Sequence, residues 1–140
     1  MIQHHTAPYA ALLLRLTLGV MFIAHGLLKV VVFTIPGTVQ FFESVGFPGF
    51  LAYVTIAAEL GAGALLIAGL GARWVALAMV PVLLGAAWVH LPNGWVFNAQ
   101  GGGWESPVFL AAVAVVQFLL GDGAYALSGR SAPLPAVRAA

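Results

Sequence analysis

Cysteine is absent from this chain, and charge nearly so: 140 residues hold five Lys and Arg and four Asp and Glu, 6% charged. Without a thiol there is no disulfide, no thiol nucleophile, no thiolate metal ligand and no cysteine-held iron–sulfur cluster. A soluble globular domain carries roughly a quarter charged residues, so a chain this poor in charge cannot cover a water-facing surface. The net charge of +1 excludes the basic surface that nucleic acid requires. The strict two-residue alternation of a membrane β-barrel is missing, as are internal repeats. The opening "MIQHHTAPYA" contains no Lys or Arg, and the apolar run behind it outlasts the roughly 7–15-residue core of a secretory signal. A retained span is expected there.

Hydrocarbon is what the chain has in abundance. It is 62% hydrophobic, with a mean hydropathy of +1.04. Four apolar stretches, residues 9–33, 50–70, 74–91 and 106–127, predict an all-α integral membrane four-helix bundle in one domain over residues 1–128. Helices are the expected spanning form because backbone polar groups in lipid must be satisfied within the segment. "IPG" (35–37) and "GFPG" (46–49) flank a stretch that reads as a short interfacial helix over 38–45. "LGAR" (70–73) is a tight connection that makes the second and third spans antiparallel neighbours. Ser106 and Pro107 read as N-cap and first helical residue of the fourth span. Pro81 falls inside the third span, where it removes one ladder bond. Residues 129–140 read as an irregular tail. Arg73, Arg130 and Arg138 fall on one side and no Lys or Arg on the other, so both termini are expected in the cytoplasm, with residues around Asn98 outside.

The few charges are not scattered. Arg15, Leu18, Phe22, His25 and Lys29 recur at three- and four-residue steps and share one face of the first helix. Glu59 lies about 14 Å into the second span, near the bilayer midplane, where a charge costs roughly 2.5–3.5 kcal/mol on insertion scales. It must be protonated, paired or lining water. By depth His25 is nearly level with Glu59 and is its expected partner, while Arg15 lies about 12 Å too deep at face value. His90 closes the third span and Glu105 opens the fourth, near Trp88, Trp95 and Trp104. His25, Glu59 and Lys29 are therefore the candidate catalytic groups. Arg15, His90, Glu105, Trp104 and Asn98 are candidate pocket residues, and the loop Gly101–Gly103 is expected to fold over the mouth. No metal is called for. Each has a plain alternative. Arg15 and Lys29 can snorkel to the headgroups, His90, Glu105 and the tryptophans can act as interface anchors, and His25 with Glu59 can be a hydrogen bond between helices.

Three functions fit such a pocket. A His and a carboxylate held dry beside a Lys can exchange protons with a quinone, since imidazole titrates near neutral pH. A scaffold or assembly partner for a redox complex, or a homo-oligomer, would use the same face for packing. A haem between His25 and His90 is the third, and a depth mismatch of about 9 Å counts against it.

"RLTLGVMFIAHGLLKV", "AAELGAGALLIAGLGAR" and "HLPNGWVFNAQGGGWESP" together resemble the DoxX family of small bacterial membrane proteins, from about Leu12 to Leu127. The resemblance rests on Arg, His-Gly and Lys in the first span, Glu-x-x-x-Gly in the second and Gly-Gly-Gly-Trp-Glu in the third connection. It implies a four-span bundle in the bacterial inner membrane and association with redox systems. These include thiosulfate:quinone oxidation and oxidoreductase complexes of oxidative-stress defence. A chain without cysteine leaves any sulfur chemistry to a redox partner protein.

Overall fold

The computed structural model describes residues 5–128; the tail expected over 129–140, with Arg130 and Arg138, lies outside the described residues. The described chain is all-helical. α1 (Ala7–Leu27) runs without a break into a π-helical stretch, Leu28–Val32. α2 (Ile35–Ser44) is short, α3 (Phe50–Ala68) and α4 (Ala72–His90) are long, and α5 (Glu105–Leu120) follows a glycine-rich loop. Three of these helices, Ala7–Val32, Phe50–Ala68 and Ala72–Asn93, are long and apolar enough to cross a membrane. No more than 33% of each of these spans is buried within the protein. The remaining apolar surface, Leu13, Val20, Val54, Trp74 and Leu84 among it, faces outward and is covered by lipid in an integral membrane protein.

Small residues let the helices approach, as membrane interfaces without a hydrophobic driving force require. α1 packs chiefly on α3, and α4 chiefly on α5. Where α1 and α3 cross, a Cβ on Gly19 would stand 2.9 Å from the carbonyl oxygen of Gly63, and one on Gly63 would stand 2.8 Å from that of Gly19. Leu18, Phe22, Leu66, Met79 and Leu83 fill the core between alanines at 62, 72, 76, 111 and 114.

The punctuation differs in three places from what the sequence predicts. "IPG" opens α2 instead of preceding it, because Thr34 takes a positive φ of 63° and its Oγ1 accepts the Gly37 N–H at 3.3 Å. α5 begins at Glu105 behind Trp104, with no side-chain cap, so Ser106 lies inside the first turn. The expected continuation to residue 127 also fails. Gly121 takes a φ of 84° and the helix stops at Leu120, about 24 Å long and a turn or more short of a 30 Å hydrocarbon core. Residues 121–128 instead fold back as a strap across the ends of α1 and α3. The Ala124 N–H donates to Pro8 O (2.8 Å), that of Leu127 to Ala68 O (3.3 Å) and that of Ser128 to Gly69 O (3.1 Å). Pro81 is accommodated inside α4.

Candidate functional site

The polar face of α1 is divided between the two ends of the bundle. At the end carrying α2 and the glycine-rich loop, Glu59 is 8% exposed. Lys29 Nζ donates to both its oxygens, Oε1 and Oε2, at 2.8 Å each. Glu59 thus takes a partner, as its depth demands, but the partner is Lys29 and not His25. The reason is local. His25 Nδ1 lies 2.8 Å from the carbonyl oxygen of Met21, one turn back. That oxygen can only accept, so the geometry assigns the proton to Nδ1 and leaves Nε2 as the free ring nitrogen. Lys29 sits in the π-helical stretch, closed by the Phe33 N–H on Leu28 O (3.0 Å). Such insertions recur at functional sites because they re-aim a side chain. The long Lys29 side chain reaches inward to the carboxylate instead of snorkelling outward.

Thr38 holds this stretch in place. It is 3% exposed, and its hydroxyl donates to Lys29 O (3.0 Å) and Thr34 O (2.9 Å). One buried hydroxyl therefore ties α2 to the turn that carries the cation. Nothing in the residue spacing singled Thr38 out, since a lone Thr in an interfacial segment is ordinary.

Lys29, Glu59 and His25 open on a cavity of about 310 Å³, which His90 also lines. Apart from Ser106, the rest of the wall carries no polar side chain; it includes Phe22, Phe41, Phe42 and Phe47, with Val82 and Leu83 of α4. Known ligand pockets are commonly about 300–1,000 Å³, mostly apolar with a few placed polar groups, and this one has that character. Its aromatic wall is braced from behind, with Phe47 edge-on to Trp88 at 5.5 Å.

The loop over residues 94–104 forms one side of the cavity. Phe97, Gly102 and Gly103 line the cavity, and Asn93 Nδ2 donates to the carbonyl oxygens of Gly101 (3.1 Å) and Gly102 (2.9 Å). The Trp104 N–H donates to Gly94 O (3.2 Å) and the Glu105 N–H to Trp95 O (3.1 Å). Gly103 lies so close to the Val96 and Trp95 carbonyls that a side chain there would strike them. Three candidate pocket residues are used up in this loop. Glu105 Oε2 accepts the Phe97 N–H at 3.1 Å, Trp104 packs edge-on against Trp95 at 4.4 Å, and Asn98 is exposed. None of the three lines the cavity. They belong to the loop itself.

Arg15 is the larger correction. It is 1% exposed and lies at the opposite end, where Nη2 donates to Ala124 O of the strap (3.2 Å). Its guanidinium fills the space beside Gly69 that a side chain would need. It neither lines the cavity nor snorkels, and its Nε and Nη1 are buried without a hydrogen-bond partner. Asp122 accepts the Arg73 N–H at Oδ1 (2.8 Å) and the Ser128 hydroxyl at Oδ2.

Comparison with known proteins agrees with the helices that carry this geometry. The DoxX family model matches residues 10–91, a stretch that includes His25, Lys29, Glu59 and His90 and ends before the glycine-rich loop. A protein of Bacillus subtilis (strain 168) described as "Putative oxidoreductase CatD" is 45% identical over 90 residues, 64% of this chain. The match spans 66% of that relative's length. No solved structure matches. With more than half its length matched, including the helices that carry the ion pair and both cavity histidines, the chain belongs to the DoxX family.

Proposed function

We propose that the cavity binds a quinone ring and exchanges protons with it, the chain serving as the membrane subunit of an oxidoreductase system whose electrons come from a partner protein. The observation that carries this reading is an ion pair set into one wall of an aromatic, otherwise apolar cavity, with a histidine nitrogen left free beside it. A quinone supplies two carbonyl oxygens that take up two protons when it accepts two electrons. An ammonium has three N–H donors. Two of those on Lys29 go to Glu59, and the third is left for a ligand oxygen. His25 Nε2 accepts a proton when the ring is neutral and donates it when the ring is charged, the two capacities a proton relay needs. Glu59 holds Lys29 in position and shares its charge. Phe41, Phe42 and Phe47 exclude water and offer faces against which a flat ring packs.

The description of the Bacillus subtilis relative as an oxidoreductase supports the reaction class, and the absence of cysteine leaves sulfur chemistry to the partner. The loop-covered end faces outward from the bacterial cytoplasmic membrane in this reading, with both termini inside. Because the chain has no cysteine of its own, Asn98→Cys gives a clean test of orientation. An impermeant maleimide is expected to label it in intact cells; labelling only after lysis reverses the topology.

Binding is tested by titrating detergent-purified protein with 2-methyl-1,4-naphthoquinone and following tryptophan fluorescence. Saturable quenching is expected, weakened about tenfold or more by Glu59→Gln, the loss of one charge-assisted contact being worth about 1.5–3 kcal/mol. His25→Asn is expected to bind but to lose quinone-dependent turnover in membranes containing the partner. Absent or non-saturable quenching, or variants equal to wild type, defeats the reading and leaves a scaffold that packs through this face.

A further inference from the structure

A second chamber, of about 590 Å³, adjoins the cavity on the side of α2. The two share five wall residues, His25, Lys29, Phe41, Phe42 and His90, so the same side chains face both spaces. Beyond this shared wall the chamber is bounded by Leu28 and Phe33 of the π-helical end of α1, by Gly37 and Thr38 of α2 and by Gly101 of the loop. Leu28 is 39% exposed and Phe33 56%. They stand at the end of a helix long and apolar enough to cross a membrane. Thr38 offers no free donor, its single hydroxyl proton being held between Lys29 O and Thr34 O. Polar chemistry is thus confined to the inner wall, and the outer part of the chamber is apolar.

The loop over 94–104 is tied end to end by the Asn93 amide and by the two main-chain bonds at Trp104 and Glu105. The chamber meets that loop at Gly101 and is otherwise flanked by α2, a short helix packed on α3 and on the π-helical stretch. We infer that this chamber is a lateral passage from the bilayer into the cavity, and that the natural ligand is an amphipath, a polar ring carrying a long apolar tail that stays in the chamber. This inference rests on the quinone reading above and adds the class of quinone to it: prenylated and membrane-held, not a small water-soluble ring. A ligand arriving from water gains free energy for each methylene of its tail that it buries. From lipid that gain vanishes, so the chamber's contribution is shape and orientation: the ring arrives with its oxygens toward Lys29 and His25.

The test compares two rings in nanodiscs, 2-methyl-1,4-naphthoquinone and the same ring bearing a tetraprenyl tail. It uses wild type, Leu28→Trp and Phe33→Ala. Leu28 lines the chamber and not the cavity, so an indole there narrows the passage without touching the ring's site. Each ring is compared with its own wild-type value, which cancels partitioning into the bilayer. The expected result is that Leu28→Trp weakens the tailed ring by about tenfold, a loss of about 1.4 kcal/mol, and leaves the tail-less ring within about twofold. Phe33→Ala, which removes apolar wall, weakens the tailed ring by a few-fold only. Tail-less binding that persists in Leu28→Trp shows that the variant is folded.

Equal binding of the tailed ring by all three proteins overturns the passage while the quinone site stands. So does loss of both rings in Leu28→Trp with no change in either for Phe33→Ala, since the first is then a folding defect and the second reports no tail contact. Failure of wild type to bind either ring overturns the quinone reading itself and the passage with it.

Discussion

Lys29 and Arg15 lie on one face of one helix, yet the protein uses them in opposite ways. Lys29 meets a carboxylate with two short bonds and keeps a donor turned to an open cavity. Arg15 meets a single carbonyl and is otherwise walled in, two of its nitrogens without any partner. Arg15 is buried and Lys29 largely so, and burial alone would nominate both as functional. The difference is space. A charge beside a cavity can act on something that enters; a charge sealed under a strap can only hold the strap. Asp122 acts on Arg15 by charge alone, its oxygens accepting the Arg73 N–H and the Ser128 hydroxyl, so the far end has no direct ion pair like that of Lys29.

The largest effect should come from breaking the satisfied pair. Lys29→Ala leaves Glu59 buried and unpaired, and removal of one member of a buried pair costs about 3–5 kcal/mol. Access to cavity water places the loss at the lower end of that range. Denaturation in mixed detergent micelles measures it. The double variant Lys29→Met with Glu59→Leu removes both charges and is expected to recover most of that stability while failing to bind quinone. A double variant as unstable as the single one would mean that packing, and not charge pairing, holds this end together.

A smaller loss sharpens the same side of the comparison. Thr38→Val keeps shape and removes the hydroxyl that fastens α2 to the Lys29 carbonyl, at a cost of about 1 kcal/mol. Its signature is in binding: ring affinity should fall a few-fold, in step with loss of hydrogen-exchange protection across Leu28–Val32. An intact π-helical stretch with normal affinity would remove Thr38 from the site.

The smallest effect is expected at the far end. Arg15→Met replaces a poorly satisfied buried cation by an apolar chain of similar length, a change that is often neutral or stabilising. Quinone affinity should stay within about twofold, less than about 0.5 kcal/mol, while residues 121–128 exchange faster because Ala124 O loses its donor. If Arg15→Met abolished binding, the separation of the two ends would be wrong.

Much of this arrangement is legible in the residues alone. Apolar run lengths place α1, α3 and α4 to within a few residues, because lipid leaves helices little freedom in either length or backbone bonding. The depth of Glu59 requires a partner, and one is present. What depth could not supply was the choice between His25 and Lys29. That depends on side-chain reach and on a π-helical turn, and no periodicity announces such a turn in a run as uniform as "LLKVVV". The strap escaped for a related reason. "GDGAYAL" is apolar enough to prolong a span, and only the backbone conformations at Gly121 and Gly123 turn it back across α1 and α3. Ser106 shows the limit of local signals. Glu105 is drawn into the helix by the loop it helps to staple, one residue ahead of the cap that composition suggests.

The central claim is that the cavity end holds a membrane quinone and the strap end does not take part. It is tested most directly by extracting purified wild-type, Glu59→Gln and Arg15→Met proteins with organic solvent and identifying what elutes by mass spectrometry. A prenylated quinone in stoichiometric amount is expected from wild type and from Arg15→Met, and is expected to be lost from Glu59→Gln. Wild-type protein free of quinone, or quinone recovered equally from all three, would contradict it.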